Sequence, residues 1–229
     1  MNQNQIKAVI FMLVSNLAVF ASTFGARTAY GATETGTAAQ TMDSINASSL
    51  QLIPSLGITS LSGASNDSMS AGSGMQVGVL ADLKLGGKLF LETGALYLES
   101  KQVAGLEGLA SASETRGYLA VPVLAKYHFM EVADTAVLFG KAGITPAFLA
   151  SAKQQTEIFG EGQSVDVKGE RSSMDFLVTA GLGGTMQVAP RWSVVADLSF
   201  VRGMKSVVRE GDAVHQQGLI VNLGASFAL

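Results

Sequence analysis

Gly218-Leu219-Ile220-Val221-Asn222-Leu223-Gly224-Ala225-Ser226-Phe227-Ala228-Leu229 alternates strictly to the last residue of the chain. Leu219, Val221, Leu223, Ala225, Phe227 and Leu229 share one face, which is apolar without interruption. Gly218, Ile220, Asn222, Gly224, Ser226 and Ala228 share the other, which is mostly small or polar. A period of two sends successive side chains to opposite sides of a strand, so the stretch reads as a strand with two unlike faces. An apolar face carried to the chain's end, with no polar tail after it, is expected of the last stave in a closed outer-membrane barrel.

Seven further runs repeat the pattern: Leu50–Ser60, Met75–Leu85, Lys88–Ser100, Tyr118–Phe129, Ala136–Ala150, Asp175–Val188 and Trp192–Val201. Most reach the roughly 9–11 residues that a tilted spanning strand needs. The connections alternate in length. Gly86-Gly87, Glu131–Thr135 and Ala189–Arg191 are tight, whereas Leu61–Gly74, Gln102–Gly117, Lys153–Ser173 and Lys205–Val214 are long and polar. Short turns on one side and long loops on the other are the transmembrane-barrel arrangement, with the long loops outside the cell. The predicted fold is all-β: an eight-stranded antiparallel up-and-down transmembrane β-barrel over residues 49–229.

Composition excludes several alternatives. The chain has 229 residues, 48% of them hydrophobic, a net charge of −3 and no cysteine. That balance gives no basic footprint for nucleic acid, and no thiol or cysteine–zinc chemistry is available. Glycine is abundant at 26 and proline scarce at 4, which favours twisted or closed sheets. Lys7 followed by the apolar run Ala8–Ala21 reads as a secretory signal, with cleavage expected after Val19-Phe20-Ala21 or Ala29-Tyr30-Gly31. The run is shorter than the roughly 20 residues of a spanning helix. Residues 1–31 are therefore expected to be signal peptide and cleavage region, and residues 32–48 a flexible periplasmic leader.

A soluble eight-stranded barrel would turn its apolar face inward. Here the less apolar face carries Gly, Ser, Thr and Asn with Asp82, Glu92, Asp175 and Asp197 against Lys84, Lys126 and Lys141. A packed polar lumen can pair such charges, and lipid cannot accept them. Asp82, Glu92, Lys126, Lys141 and Asp197 are the expected lumen charge network. The aromatics fall near strand ends, with Tyr127, Phe129, Trp192 and Phe227 toward the short turns. Tyr97, Phe148, Phe176 and Phe200 lie toward the long loops. Together these are the expected girdles at the two bilayer interfaces. Pro122 removes a ladder donor inside its strand, so a kink, as a bulge or local edge, is expected there.

The segment Tyr118-Leu119-Ala120-Val121-Pro122-Val123-Leu124-Ala125-Lys126-Tyr127-His128-Phe129 resembles the mid-chain strand Tyr-Leu-x-(Ile/Val)-Pro-x-Leu-x-Lys-Tyr-x-Phe of PorT-type outer-membrane β-barrels. Leu91–Tyr97, Phe139–Gly143, Asp175–Gly184 and Asp197–Lys205 resemble the flanking strands. The resemblance implies small porin-like barrels in the outer membrane of Gram-negative cells, a few of them linked to secretion or gliding. One departure is the terminus: Phe227 is followed by Ala228 and Leu229, so Phe227 and Leu229 together are expected to serve as the assembly signal.

His128 and His215 are the two histidines. Neither has a nucleophile motif beside it, so a surface or interfacial role is expected for both. Gly181-Leu182-Gly183-Gly184 lies inside a strand and lacks a Walker lysine, so it is not a phosphate loop. No catalytic residue, metal ligand or cofactor is expected. The function expected is a non-enzymatic membrane protein acting structurally, adhesively or by partner binding through its outer loops. A narrow channel or secretion accessory is the runner-up, and a lipid A-modifying enzyme the third reading. Expected partners are outer-membrane lipid, the barrel-assembly machinery and an extracellular or periplasmic protein, with no nucleic acid.

Overall fold

The computed structural model describes residues 50–63, 70–106, 110–133, 135–158, 161–206 and 215–229. The expected signal segment and leader lie outside them. Within the compact unit Thr41–Leu229, the strands are β1 (Leu50–Gly63), β2 (Ser70–Gly86), β3 (Leu89–Leu106), β4 (Ala110–Ala120), β5 (Val123–Ala133), β6 (Ala136–Ile158), β7 (Glu161–Asp166), β8 (Met174–Ala189), β9 (Trp192–Gly203) and β10 (Gln216–Ala228). All pairings are antiparallel, and β10 closes on β1 with Leu52 opposite Phe227 and Leu61 opposite Gly218. β4 and β5 are halves of one stave, each paired to β3 and β6, and β7 pairs only with β6. The circuit is thus a closed barrel of eight staves.

Pro122 separates β4 from β5. Lacking an N–H, it cannot continue the ladder, yet the register is the same on either side. Leu96 faces Ala120 before the gap, and Thr93 faces Val123 after it. The interruption is therefore a local lapse and not a bulge. Val121 N–H still reaches the Pro146 carbonyl at 2.9 Å. The bulge nearest to it lies on the neighbouring stave, where Gly117 and Tyr118 face Ser151 and Leu149 and leave Ala150 extra.

The registers fix the barrel's geometry. Hydrogen-bonded neighbours lead from Gln51 to Asp82, Glu92, Leu124, Gly143, Thr179, Val201 and Gly218. They return to β1 at Leu61, ten residues above the start. A shear of that size over eight staves tilts the strands by about 40°. Each residue then climbs about 2.5 Å along the barrel axis.

Burial follows the period of two. On β1, Gln51, Ile53, Ser55, Thr59 and Leu61 are buried, while Leu52, Leu56 and Ile58 are exposed. Ile58, Leu182 and Leu223 are at least 60% exposed. Such a continuous apolar exterior would be a severe liability in water and is the expected surface in lipid.

Two of the expected long loops are largely strand. β3 and β4 run on through most of Gln102–Gly117, and β6 with β7 occupies much of Lys153–Ser173 before a short 3-10 turn at Lys168–Glu170. Ser70–Gly74 likewise belongs to β2. These extensions mix polar and apolar residues without a strict period of two, so they carry no alternation for a sequence reading to find.

Gly94 shows how tightly the staves coil. Its φ is 152°, and a Cβ there would run into the Val79 carbonyl oxygen and within 2.8 Å of Leu80 Cα. Gly94→Ala is expected to destabilise the barrel by about 1–3 kcal/mol from backbone strain alone, read as loss of the heat-modifiable folded band in electrophoresis. Gly162→Ala, where nothing lies within 4 Å, should leave that band unchanged.

Candidate functional site: the lumen charge layer and the outer mouth

The registers set like charges side by side in the lumen. Asp82 on β2 faces Glu92 on β3, and Lys126 on β5 faces Lys141 on β6. Directly opposed like charges repel, but here the acidic pair and the basic pair occupy adjoining staves and neutralise each other. Lys126 Nζ donates to Asp82 Oδ2 at 2.6 Å and to Glu92 Oε2 at 3.4 Å. Lys141 Nζ donates to Glu92 Oε1 at 3.0 Å and to Asp197 Oδ2 at 2.9 Å. The five side chains therefore form one connected chain across the lumen, every member at most 8% exposed.

Sequence reasoning assigned these five to one network but missed its extension. Asp197 Oδ1 also accepts from Ser199 Oγ at 2.8 Å and Asn222 Nδ2 at 3.1 Å, while Asn222 Oδ1 accepts from Gln76 Nε2 at 2.8 Å. All three share the inward parity, which was the available signal. Lys84 has that parity too but is only half-buried near the Gly86-Gly87 turn. Asp175 lies at the opposite end of the barrel, where it accepts from the Phe176 and Lys205 amides and from Gln216 Nε2.

One inward position nearer the short turns, the charges rest on rings: Phe90 below Glu92, His128 below Lys126 and Phe139 below Lys141. Phe90 and His128 centroids are 4.5 Å apart, and Lys126 Nζ sits 4.1 Å from the Phe139 centroid, a cation–π contact. His128 is thus a lumen residue, 3% exposed, and not the surface or interfacial histidine expected from sequence. Toward the mouth the lumen turns apolar, with Leu80, Leu96, Leu98, Leu177, Val201 and Ile220 in one buried cluster. Between the charges and this cluster is a cavity of about 40 Å³ bordered by Glu92, Lys141, Thr145, Asn222 and the leucines. It has room for a few waters and no more.

The aromatics form two levels on the outside. Trp192 and Phe200, both on β9 and exposed, are about 20 Å apart along the axis at the tilt above. Tyr127, Phe129 and Phe227 lie on strand ends near the Trp192 level, and Phe227 packs against Trp192 at a tilt of 56° with centroids 4.9 Å apart. Tyr97 faces Leu119, which faces Phe148, with Phe176 two register positions further down β8 from the Phe148 partner Met174. Leu229 is exposed, and its amide donates to the Leu50 carbonyl.

A second polar cluster, absent from the sequence reading, lies beyond the upper aromatics. Glu114 on β4, five residues past Leu119, accepts from Arg116 Nε at 2.7 Å and from Arg171 Nε and Nη2 at 2.7 and 2.9 Å. Arg116 Nη2 also donates to Gln102 Oε1 at 2.8 Å. Burial pushes the Glu114 carboxyl up, but the hydrogen bonds from Arg171 and the charge and bonding of Arg116 outweigh it. The carboxyl is held below its ordinary value of 4.5. The interaction joins β4 to the segment following β7, two elements far apart in sequence, so spacing gave no hint of it.

Each cluster yields an expected outcome. Among the described residues, Lys141→Ala takes the only cation from Asp197 and one of two from Glu92 and should cost about 3–5 kcal/mol of stability, measured by urea unfolding in detergent or lipid. Exposed Lys88 and Glu131, paired at 3.0 Å near the short turns, give the contrast: Lys88→Ala should cost no more than about 1 kcal/mol. Glu114 faces two cations, Arg116 and Arg171, with Tyr118 two inward positions below. Its folded-state pKa is depressed, so its contribution is present above the ordinary value of 4.5. That contribution is lost as pH falls through the folded value. A pH series comparing wild type with Glu114→Gln should show their stabilities converging as the solution is acidified.

The family that the sequence matches agrees with this architecture. The outer membrane protein beta-barrel domain family matches residues 37–209, most of the chain. No curated protein sequence matches it. Among solved structures, Neisserial surface protein A is 11% identical, covering 80% of this chain and 98% of its own, with a TM-score of 0.49. OprG from Pseudomonas aeruginosa is 12% identical, covering 80% and 96%, with a TM-score of 0.45. Ail, the attachment invasion locus protein of Yersinia pestis, is 9% identical, covering 78% and 97%, with a TM-score of 0.40. The closed eight-stave barrel, its apolar exterior and its charged lumen belong together: the chain is a member of the outer membrane protein β-barrel domain family and an integral protein of the outer membrane.

Proposed function

We propose that the protein is a non-enzymatic barrel with a closed lumen, acting structurally, adhesively or by partner binding through the parts that project outside the cell. The filled lumen carries this reading. Rings, a connected charge layer and an apolar cluster succeed one another along the axis, and the cavity between them is about 40 Å³. A conducting pore needs a continuous aqueous path, and larger barrels provide one where eight staves are filled by side chains. The strand extensions of β3, β4, β6 and β7 beyond the upper aromatics supply a rigid polar surface on the outside, where recognition on barrel proteins is usually built.

Among the described residues no acyl-transfer constellation surrounds His128, which is a further support. That ring packs between Phe90 and Phe139, with centroids 4.5 and 6.2 Å away, on the lumen side of the wall. A lipid-modifying site needs a histidine, a nucleophile and a carboxylate opening toward lipid. Within the larger family, the Tyr118–Phe129 pattern supports a PorT-type affiliation.

In planar bilayers the folded protein is expected to pass no steady current, and a stable open level would replace this reading with the narrow channel. Lipid A mass spectrometry with and without the gene should give the same acyl pattern; a changed pattern would make the protein an enzyme.

A further inference from the structure

We propose that Arg116 and Arg171 at the outer mouth form a binding site for a tetrahedral oxyanion of the phosphate or sulfate class, filled in this structure by the chain's own Glu114 carboxylate. Three guanidinium N–H groups from two separate elements converge on the two oxygens of Glu114. This is the forked recognition that arginine gives to carboxylate and phosphate alike.

The cradle offers more donors than Glu114 can use. Gln102 Nε2 and Ser100 Oγ have no partner among the described residues; Arg116 Nη1 likewise makes no bond at full hydrogen-bond geometry, with the Tyr118 hydroxyl lying against the same guanidinium. The Gln102, Ser100 and Arg116 side chains are 1%, 1% and 3% exposed. The Gln102 amide is oriented by the bond that its oxygen accepts from Arg116 Nη2, so its free group is a donor. Ser100 is the direct cross-strand partner of Arg116, and Gln102 that of Glu114. The surplus is thus one contiguous patch. Buried donors left unpaired cost about 1–3 kcal/mol each, and an anion with four oxygens can engage more of them than a carboxylate with two.

Position points the same way. Two guanidinium groups converge on the one carboxylate of Glu114; the further acids nearby are Glu170, exposed beside Arg171, and Asp175, which shares Tyr118 as a neighbour with Arg116 and is held by the Phe176 and Lys205 amides and Gln216. The cluster lies past the Tyr97–Leu119 pair, on the outer side of the aromatic level, so a ligand reaches it from outside the cell. Arg171, whose side chain is 15% exposed, is the accessible member, and the anion enters past it as Glu114 withdraws. The site lies above the lumen layers and does not depend on whether the lumen conducts.

The test uses the full chain folded in detergent micelles free of lipopolysaccharide. Sodium phosphate and sodium sulfate are titrated by calorimetry against sodium chloride at matched ionic strength. Wild type should bind weakly because Glu114 competes, and Glu114→Gln at least tenfold more tightly. Adding Arg171→Ala to Glu114→Gln should remove that gain. If Glu114→Gln does not fold, Glu114→Asp, whose shorter carboxylate retracts from the cradle, should show the same direction of change. Vesicles containing phosphorylated or dephosphorylated lipid A then identify the source. Preferential binding of Glu114→Gln to the phosphorylated form, competed by inorganic phosphate, assigns a headgroup; equal binding with retained affinity for free phosphate assigns a soluble ion. Affinity for phosphate no greater than for chloride in the Glu114 variants, or a gain that survives Arg171→Ala, overturns the proposal.

Discussion

The closure of β10 on β1 is the constraint from which the rest follows. Hydrocarbon offers no partner to a backbone N–H or carbonyl, so a sheet in a bilayer must have no edge. Gly218–Leu229 meets Leu50–Gly63 in a single register, and that pairing fixes the stagger. The stagger sets the tilt, the tilt sets the length of strand needed to cross, and the number of staves then fixes the width. At this shear the backbone radius is about 8 Å, which side chains from opposite walls fill.

A lumen that narrow explains why its charges come as a block. Any ionisable group placed inside must be neutralised by a neighbour on the wall, because bulk water is excluded. Asp82 with Glu92 and Lys126 with Lys141 would each be unfavourable as isolated cross-strand pairs. Set on four staves joined by β3 and β5, they become an alternating ionic array, and Asp197 extends it to the far wall. The rings of Phe90, His128 and Phe139 close it below, and the leucine cluster closes it above. Neither layer could be deleted without leaving a void or an unpaired charge.

How much of this was legible depends on which physical signal each part leaves in the chain. The spanning halves of the staves alternate because lipid and lumen make opposite demands, so residues such as Leu219, Asn222 and Leu223 declare their faces. Above the aromatic level lipid no longer demands an apolar outer face, and the alternation disappears. That is why β7 and the outer parts of β3, β4 and β6 read as loops. Parity also gives a face without a height. Asp175 and Asp197 share the inward side, yet one belongs to the mouth and the other to the lumen layer, because height depends on the shear that only the registers reveal. Pro122 was legible as a break in the ladder but not as one that keeps its register.

The same opposed charges occur at three levels of the molecule, and their surroundings make them different things. Lys88 and Glu131 meet in water, where screening and side-chain entropy cancel most of the attraction. In the lumen, the five charges each have a partner, so that layer is complete as structure: among its carboxylate oxygens Asp82 Oδ1 alone lacks a partner among the described residues. At the mouth the balance is uneven in the other direction. Glu114 accepts three hydrogen bonds, while nitrogen donors beside it are left over. A cluster that existed only to pin Arg171 to the barrel would need one guanidinium and one carboxylate. Arg116 and Gln102 add buried donors that this task does not use, and a surplus of that kind is what an oxyanion site looks like when its own chain occupies it.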